Sequence, residues 1–438
     1  MSSSSPDRRV VITGLGLISP LGNTPSALWD ALMAGKSGVA TTTFMPSDRQ
    51  PLSIAGEARE FTGEIEDFGP LEKERKKAIK KGLKVMCRET RMAVAAAQLA
   101  IADAGFAEQP MDPEMSGVVL GSDYMLTMPE DYSLGMKTCA PEGEFEYTKW
   151  GKEGLSDMAP LWMLKYLPNM PASHIAIYND LRGPNNSLTM REAAGNLAIG
   201  EAFRTIQRGH ANLMVAGATG TRILPMQAIH ALQTEQMAIS NGDPTKASRP
   251  FDKNRSGMVA GEGAGMIVLE EYESAKARGA TIYAEVLGLG SANVADEQLH
   301  GKCDVALERA MKSALRDAGR TPVDVGHINA HGLGTTDRDA DEAKAIRAVF
   351  GATADEVPVT ALKSYFGNLG AGGGVVELIA SVLALRNGKL PRVLNFKTAD
   401  PNCPVKVAAD NGSAAGKSFL NLTVTPQGQA AVLYCASV

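Results

Sequence analysis

An internal duplication is the feature that most restricts how this 438-residue chain can fold. A strand ending in Gly-Leu-Gly is predicted for residues 11–19 (VITGLGLIS) and again for residues 285–293 (EVLGLGSAN). A helix that closes on Asp-Ala-Gly, a helix stop signal, is predicted for residues 92–105 and again for residues 306–319. Each helix is followed by another short strand. Repeated strand–helix–strand units predict an α/β protein with parallel strands flanked by helices.

The junction between the two copies is expected near residue 275, in a helical-looking connector. The predicted halves are therefore residues 1–275 and 276–438. The first half carries an insertion between its strand and its helix.

Composition and charge exclude several classes of protein. The 44 basic residues are slightly outnumbered by 49 acidic ones, which argues against a nucleic-acid binder. No run reaches the roughly 18 apolar residues that a membrane-spanning helix needs. The chain has five cysteines at wide spacing and no Cys-x-x-Cys, as expected of a disulfide-free cytoplasmic protein. Arg8 and Arg9 before an apolar stretch resemble a signal peptide, but the glycines and proline of that stretch favour a strand.

Glu192 is the first candidate functional residue. Residues 187–190 are predicted to form a short strand and residues 193–207 an Ala/Gly-rich helix, so Glu192 lies at a strand-to-helix elbow. Backbone N–H groups and the helix dipole favour an anion at such a point. An ordinary acidic residue in the first turn of a helix is the alternative.

His331, Lys363 and Asn368 are the next candidates. His331 follows a predicted strand and precedes a Gly turn, the kind of place where α/β folds carry functional groups. A structural role is the alternative. A metal shared with His327 is excluded because a strand would place the two residues about 13 Å apart. Lys363 and Asn368 lie in a Gly-dense loop that lacks the phosphate-loop pattern but allows close approach of a ligand.

A basic run at residues 72–84 is either a solvated helix face or a docking surface for an acidic partner. Its candidate contact residues are Lys73, Arg75, Lys76, Lys77 and Lys80.

Taken together and in order, four segments resemble the elongating β-ketoacyl-acyl-carrier-protein synthases, which have the thiolase fold. These segments are 10–23 (VVITGLGLISPLGN), 248–273 (SRPFDKNRSGMVAGEGAGMIVLEEYE), 328–342 (INAHGLGTTDRDADE) and 361–377 (ALKSYFGNLGAGGGVVE). The resemblance covers nearly the whole chain and implies two pseudo-repeated halves in a layered α/β/α/β/α core. It also implies an acyl carrier protein as partner, whose phosphopantetheine arm brings the substrate, and no cofactor or metal of the protein's own.

The chain departs from this family at the residues that matter most. The resemblance places Glu192 where the family has its nucleophilic Cys, and Asn368 where elongating enzymes have a second His. His331 and Lys363 match the family's first His and its Lys. The family's Gly-Phe-Gly-Gly loop, which gates the acyl pocket, is matched to residues 418–427 (SFLNLTVTPQ), so Phe419 is the expected substrate contact.

Three functions remain open. The favoured one is decarboxylation of malonyl-carrier protein, with His331 and Asn368 as hydrogen-bond donors to the developing enolate and Lys363 orienting His331. The second is a non-catalytic partner, like the chain-length factors that pair with a Cys-bearing ketosynthase. The third is condensation or acyl transfer that uses Glu192 itself as nucleophile or base. The charge state of Glu192 stays open, since burial raises its pKa while a helix N-terminus and a cationic His331 would lower it. The family associates as dimers, so either a homodimer or a heterodimer is expected.

Overall fold

The computed structural model describes residues 8–44, 52–106, 110–240 and 242–438. Its strands are β1 (Val10–Ile18), β2 (Val39–Thr41), β3 (Ile54–Gly56), β4 (Ser116–Ser122), β5 (Asn185–Thr189), β6 (Leu213–Thr221), β7 (Glu262–Glu271), β8 (Ala284–Asn293), β9 (His327–Asn329), β10 (Val359–Thr360), β11 (Ser418–Val424) and β12 (Gln429–Ala436). Its helices are α1 (Pro25–Ala34), α2 (Lys73–Gly82), α3 (Arg88–Asp103), α4 (Pro129–Thr138), α5 (Tyr147–Trp150), α6 (Trp162–Tyr166), α7 (Met170–Asn179), α8 (Ala194–Gln207), α9 (Pro225–Thr234), α10 (Tyr272–Ala277), α11 (Cys303–Asp317), α12 (Arg338–Phe350), α13 (Lys363–Phe366) and α14 (Gly373–Asn387).

The main sheet repeats one five-stranded unit. Its order is β10-β9-β11-β12-β8-β1-β7-β6-β4-β5, and β1 and β8 pair antiparallel at the centre. Moving outwards from β1 or from β8, the first two pairings are antiparallel and the next two are parallel. The prediction of an α/β fold with two similar halves is therefore confirmed. The expected junction near residue 275 lies in α10, between the last strand of one unit and the first of the other.

Helices lie between and outside the two halves of the sheet. The buried helix α8 packs on β6 of its own half and on β12 of the other, and α14 packs likewise on β11 and β7. Helix α3 covers β1 and β7 from outside, and α11 covers β8 and β12. This arrangement confirms the layered α/β/α/β/α core.

The repeated sequence motifs make the same contacts in both halves. Gly16 in β1 lies so close to α3 that a Cβ atom would stand 2.1 Å from the Ala96 carbonyl oxygen, and Gly290 in β8 lies as close to Ala310 in α11. In each half, the leucine between the two glycines donates its backbone N–H to the Asp of the Asp-Ala-Gly motif. This hydrogen bond joins the strand to the end of the helix. The two bonds are Leu15 N to Asp103 Oδ2 and Leu289 N to Asp317 Oδ2, both 2.8 Å long.

Both helices end at that Asp as predicted, and each is followed by a glycine with positive φ, Gly105 (84°) and Gly319 (62°). None of the helices within the described ranges has the length and apolarity to cross a bilayer. The Arg8-Arg9 stretch leads directly into strand β1, as expected.

Candidate active site

The elbow at Glu192 has the predicted geometry. Strand β5 ends at Thr189, a single 3₁₀ turn covers Arg191–Ala193, and α8 begins at Ala194. Arg191 adopts a left-handed φ of 48°, which turns the chain sharply into the helix. The residues after Glu192 are small because the starts of α8 and α14 are in contact: a Cβ atom on Gly195 would lie 2.7 Å from Val375 Cγ2. The Glu192 side chain is buried at this crossing.

Asn368 meets Glu192 directly. The Asn368 amide donates to Glu192 Oε1 at 3.1 Å, and Asn368 Oδ1 accepts from the Gly370 N–H at 3.1 Å. The Asn368 backbone is held by two hydrogen bonds to the strand-like segment 259–261, part of the sequence that carries the family resemblance. The Asn368 amide is thus fixed, with its donor aimed at the Glu192 carboxylate.

His331 and Lys363 lie in the same buried region, each with its own partner. The N–H groups of His331 and Gly332 donate to the two carboxylate oxygens of Glu342, at 2.6 and 2.8 Å. Lys363 Nζ donates to Glu377 Oε1 at 2.7 Å. Burial and the Lys363 charge hold the pKa of His331 well below its ordinary value, so His331 is neutral at pH 7. Lys363 therefore acts on His331 through charge, and Glu342 sets the backbone from which His331 projects.

Two residues that sequence reasoning missed complete the site. Arg222 follows β6 and is buried, with Nη2 2.7 Å from Glu192 Oε1 and 3.0 Å from Asp123 Oδ2. Asp123 directly follows β4. The strands β5, β4 and β6 are parallel neighbours, so the residues after their carboxyl ends converge. The rule that functional residues follow the carboxyl ends of parallel strands, applied to the first residue after every predicted strand, would have indicated Asp123 and Arg222.

Arg191 and Arg222 together surround the Glu192 carboxylate. Arg191 Nε lies 3.5 Å from Glu192 Oε2, and its Nη2 pairs with Glu235 Oε1 at 2.7 Å. Arg222 Nη1 also donates to the Tyr124 hydroxyl at 2.8 Å. The side chains of Arg191 and Glu235 are 15% and 7% exposed, against 4% for Glu192.

The charge of Glu192 follows from these contacts. Burial alone would raise its pKa, but Arg222 and Arg191 outweigh burial and hold that pKa well below its usual range. Glu192 is thus ionised at neutral pH. Arg222 and Arg191 contribute most to lowering this pKa, and His331 contributes less.

Phe419, the expected substrate contact, lies in the hydrophobic core. Residues 418–424 form strand β11, where Phe419 pairs with His327 and Cys435 and is completely buried. Its ring stacks on His327, at the start of β9, whereas His331 follows the other end of that strand. The turn between β11 and β12 also borders the elbow, since Gln427 Oε1 accepts from Arg191 at 3.4 Å.

The predicted docking residues form one exposed surface on α2. Ile79 is the buried residue of this helix, while Lys73, Lys76, Lys77 and Lys80 are exposed and Arg75 is half-buried. Lys76 pairs with Glu66 at 3.6 Å. Binding of a carrier protein to this surface stays a prediction.

Comparison with known proteins decides the family. The model of the β-ketoacyl synthase N-terminal domain matches residues 7–275, and the model of the C-terminal domain matches residues 283–397. The chain belongs to the β-ketoacyl synthase family. Among curated relatives of this β-ketoacyl synthase homologue are two proteins named 3-oxoacyl-[acyl-carrier-protein] synthase 2. The Synechocystis protein is 36% identical over 401 residues and the Coxiella burnetii protein 37% over 402, each alignment covering 90% of both chains.

Solved structures show the same fold over the whole chain. A β-ketoacyl synthase from Burkholderia phymatum superposes with a TM-score of 0.83, at 28% identity and with 98% of this chain and 100% of that chain covered. A chain from "the ishigamide ketosynthase/chain length factor" gives 0.81 at 28% identity. A chain from the AntDE:AntF complex, a ketosynthase with its acyl-carrier protein, gives 0.82 at 27% identity. Each of the last two covers 99% of this β-ketoacyl synthase homologue and 100% of the solved chain. The predicted thiolase-like fold is confirmed.

Proposed function

We propose that this chain is a non-condensing β-ketoacyl synthase homologue that serves as partner subunit to a Cys-bearing ketosynthase in fatty-acid or polyketide synthesis on acyl carrier protein. One observation carries the proposal: the carboxylate at the position assigned to the nucleophile is ionised and bound by Arg222, Arg191 and Asn368. The printed descriptions of the relatives, which include a ketosynthase/chain length factor and ketosynthases that work with carrier proteins, support the pathway and the pairing.

Glu192 is unsuited to nucleophilic attack. An acyl-glutamate would be an uncharged anhydride, so acylation would remove the negative charge that compensates Arg222. Leaving a buried charge without its partner costs about 3–5 kcal/mol. A carboxylate whose pKa is strongly lowered is also a weak base at neutral pH. Condensation or acyl transfer through Glu192 is therefore the least supported of the three functions.

The surroundings of Glu192 are also unsuited to an acyl chain. Its carboxylate faces Arg222, which in turn contacts the Asp123 carboxylate and the Tyr124 hydroxyl. An apolar acyl chain attached to Glu192 would displace these buried polar groups from their partners. Because the groups are buried, water could not replace the lost hydrogen bonds, and the free energy would rise. A partner subunit needs no acyl pocket of its own, which fits this filled and ionised site.

Decarboxylation of malonyl-carrier protein is the second candidate. His331 is neutral, and its side-chain Nδ1 makes no hydrogen bond within the described residues, so one tautomer offers an Nε2–H to a thioester oxygen. Against this, the Asn368 amide donates to Glu192 and must leave it before it can serve the substrate. The basic surface on α2 would receive the acidic carrier protein in either function.

The test compares the chain alone with the chain in the presence of a Cys-bearing ketosynthase. Malonyl-carrier protein is incubated with each, and the loaded carrier is followed by intact-mass spectrometry. For a partner subunit, the chain alone leaves malonyl-carrier protein intact, and adding it changes the rate or product length of the ketosynthase. A loss of CO₂ catalysed by the chain alone, abolished in His331→Ala and retained in the exposed control His210→Ala, would establish the decarboxylase instead.

A further inference from the structure

A groove lies at the opposite end of α8 from Glu192. It is bordered by the last turn of α8 and by the place where β1 and β8 begin to pair, Val10 with Val286. Its volume is about 690 Å³, which is in the range of small-molecule sites. Helix α8 starts beside Glu192 and ends at Gln207, so its length, about 20 Å, separates the groove from the elbow. The groove is therefore a site distinct from the candidate active site.

The groove is basic although the chain is acidic. Its lining carries four arginines and two carboxylates, a net charge of +2 on a chain whose total is −5. In both ion pairs of the groove the arginine is more exposed than the acid. The values are 45% against 10% for Arg9 and Glu285, and 35% against 23% for Arg204 and Asp317. Positive charge therefore faces the solvent.

The carboxylate oxygens of the groove already accept hydrogen bonds. Both oxygens of Glu285 accept from Arg9, at 2.8 and 2.7 Å. Asp317 Oδ1 accepts from Arg204, and Asp317 Oδ2 accepts from the Leu289 N–H at 2.8 Å. The two acids thus hold two of the arginines in place, and they leave the other two without a carboxylate partner.

Those two arginines and one amide supply unused N–H donors. The exposed side chain of Arg208 has no hydrogen bond or ion pair with any described residue. Arg8 donates to two backbone carbonyl oxygens and to the Asn212 side chain, so no carboxylate in the described part of the chain compensates its charge. Gln207 Oε1 accepts from Arg204 at 2.7 Å, which leaves both N–H groups of its amide for a ligand.

A groove with a surplus of donors and of positive charge fits an anion that is rich in acceptor oxygens. A phosphate monoester carries a charge of about −2 at neutral pH, which matches the net charge of the lining, and it has three acceptor oxygens. The planar guanidinium of arginine binds phosphate through two parallel hydrogen bonds. The volume of the groove also leaves room for an organic group beside the phosphate.

We propose that this groove binds an organic phosphate, held by Arg208, Arg8 and the Gln207 amide. The proposal is independent of the proposed function, because it uses none of the residues around Glu192.

The test is isothermal titration calorimetry of the full-length chain with phenyl phosphate and with inorganic phosphate, at one ionic strength. Both should bind, and phenyl phosphate should bind more tightly because its ring adds contacts in the groove. Arg208→Gln should raise the Kd of both about tenfold or more, since it removes a charge-assisted hydrogen bond. Gln207→Ala should raise it by less. The matched control Arg309→Gln, at an exposed arginine of α11 outside the groove, should leave the Kd unchanged.

Three results would overturn the inference. No heat from either probe at millimolar concentration would remove the site. Equal weakening by Arg208→Gln and by Arg309→Gln would mean that the probes are attracted by charge in general and not by this groove. Equal affinity for the two probes would remove the organic part of the ligand. Each of these results leaves the proposed function standing, since Glu192 lies at the other end of α8.

Discussion

Replacing Glu192 by Gln removes the negative charge that Arg191 and Arg222 share and leaves the shape of the side chain almost unchanged. The amide oxygen of Gln can still accept from Arg222 and from Asn368, which now bind Oε1 at 2.7 and 3.1 Å. The substitution therefore keeps these hydrogen bonds and removes the negative charge that compensates the two arginines. Arg222 keeps one carboxylate, Asp123, while Arg191 keeps Glu235.

The magnitude follows from the burial of the pair. Both Glu192 and Arg222 are almost completely buried, and removing one member of such a pair destabilises a protein by about 3–5 kcal/mol. An unfolding entropy of about 2.1 cal/mol/K per residue over 438 residues converts this loss into a decrease in Tm of about 3–5 °C. The exposed control Glu273→Gln should change the free energy of unfolding by less than about 0.5 kcal/mol.

The pH dependence distinguishes a structural carboxylate from a catalytic base. The folded-state pKa of Glu192 is below the ordinary value of 4.5, so its contribution to stability is complete above that value and is lost as pH falls through the folded-state pKa. The difference in Tm between wild type and Glu192→Gln should therefore be constant from about pH 5.5 to about pH 8.

Differential scanning fluorimetry across this pH range measures the effect directly. A difference in Tm that shrinks as pH rises through neutrality would mean that Glu192 is protonated below neutral pH and loses its proton there, as a group with a raised pKa would, and would refute the reasoning from the two arginines.

Three further outcomes are expected. Burial raises the pKa of Glu89 to about 7, so between pH 4.5 and 7 the folded chain holds a proton that the unfolded chain has lost, and stability falls as pH rises through this range. The free energy of unfolding of Glu89→Gln should therefore exceed that of wild type by up to about 3 kcal/mol at pH 8 and by little at pH 5. An equal difference at both pH values would contradict this. Gly290→Ala should cost about 1–3 kcal/mol in urea unfolding because its Cβ would stand 1.9 Å from the Ala310 oxygen, while Gly151→Ala, with open space around it, should be neutral. The triple variant K76E/K77E/K80E should raise the Kd for carrier protein about tenfold at low salt, and an unchanged Kd would leave α2 a solvated face.

The sequence by itself determined the architecture of this protein. Gly-Leu-Gly and Asp-Ala-Gly occur twice because each half makes the same contact, a strand lying directly on a helix with an Asp bonded to the Leu N–H between the glycines. The elbow at Glu192 was equally predictable, since a short strand followed at once by an Ala/Gly-rich helix is visible in the order of the residues. The elbow depends on neighbours in the chain, and the two halves are visible because the same motifs recur in the same order.

The chemical state of the site was decided by tertiary structure alone. Whether Glu192 is a base, a nucleophile or a fixed anion depends on Arg222, which reaches it from the end of β6, and on Asp123, which pairs with Arg222 from the end of β4. The burial of Phe419 has the same origin, because its place is set by pairing with His327, some ninety residues earlier in the chain. Charges act on one another through space in a buried, weakly screened interior, so the pKa of a carboxylate follows from the sheet register that brings its neighbours together, which the local sequence does not encode.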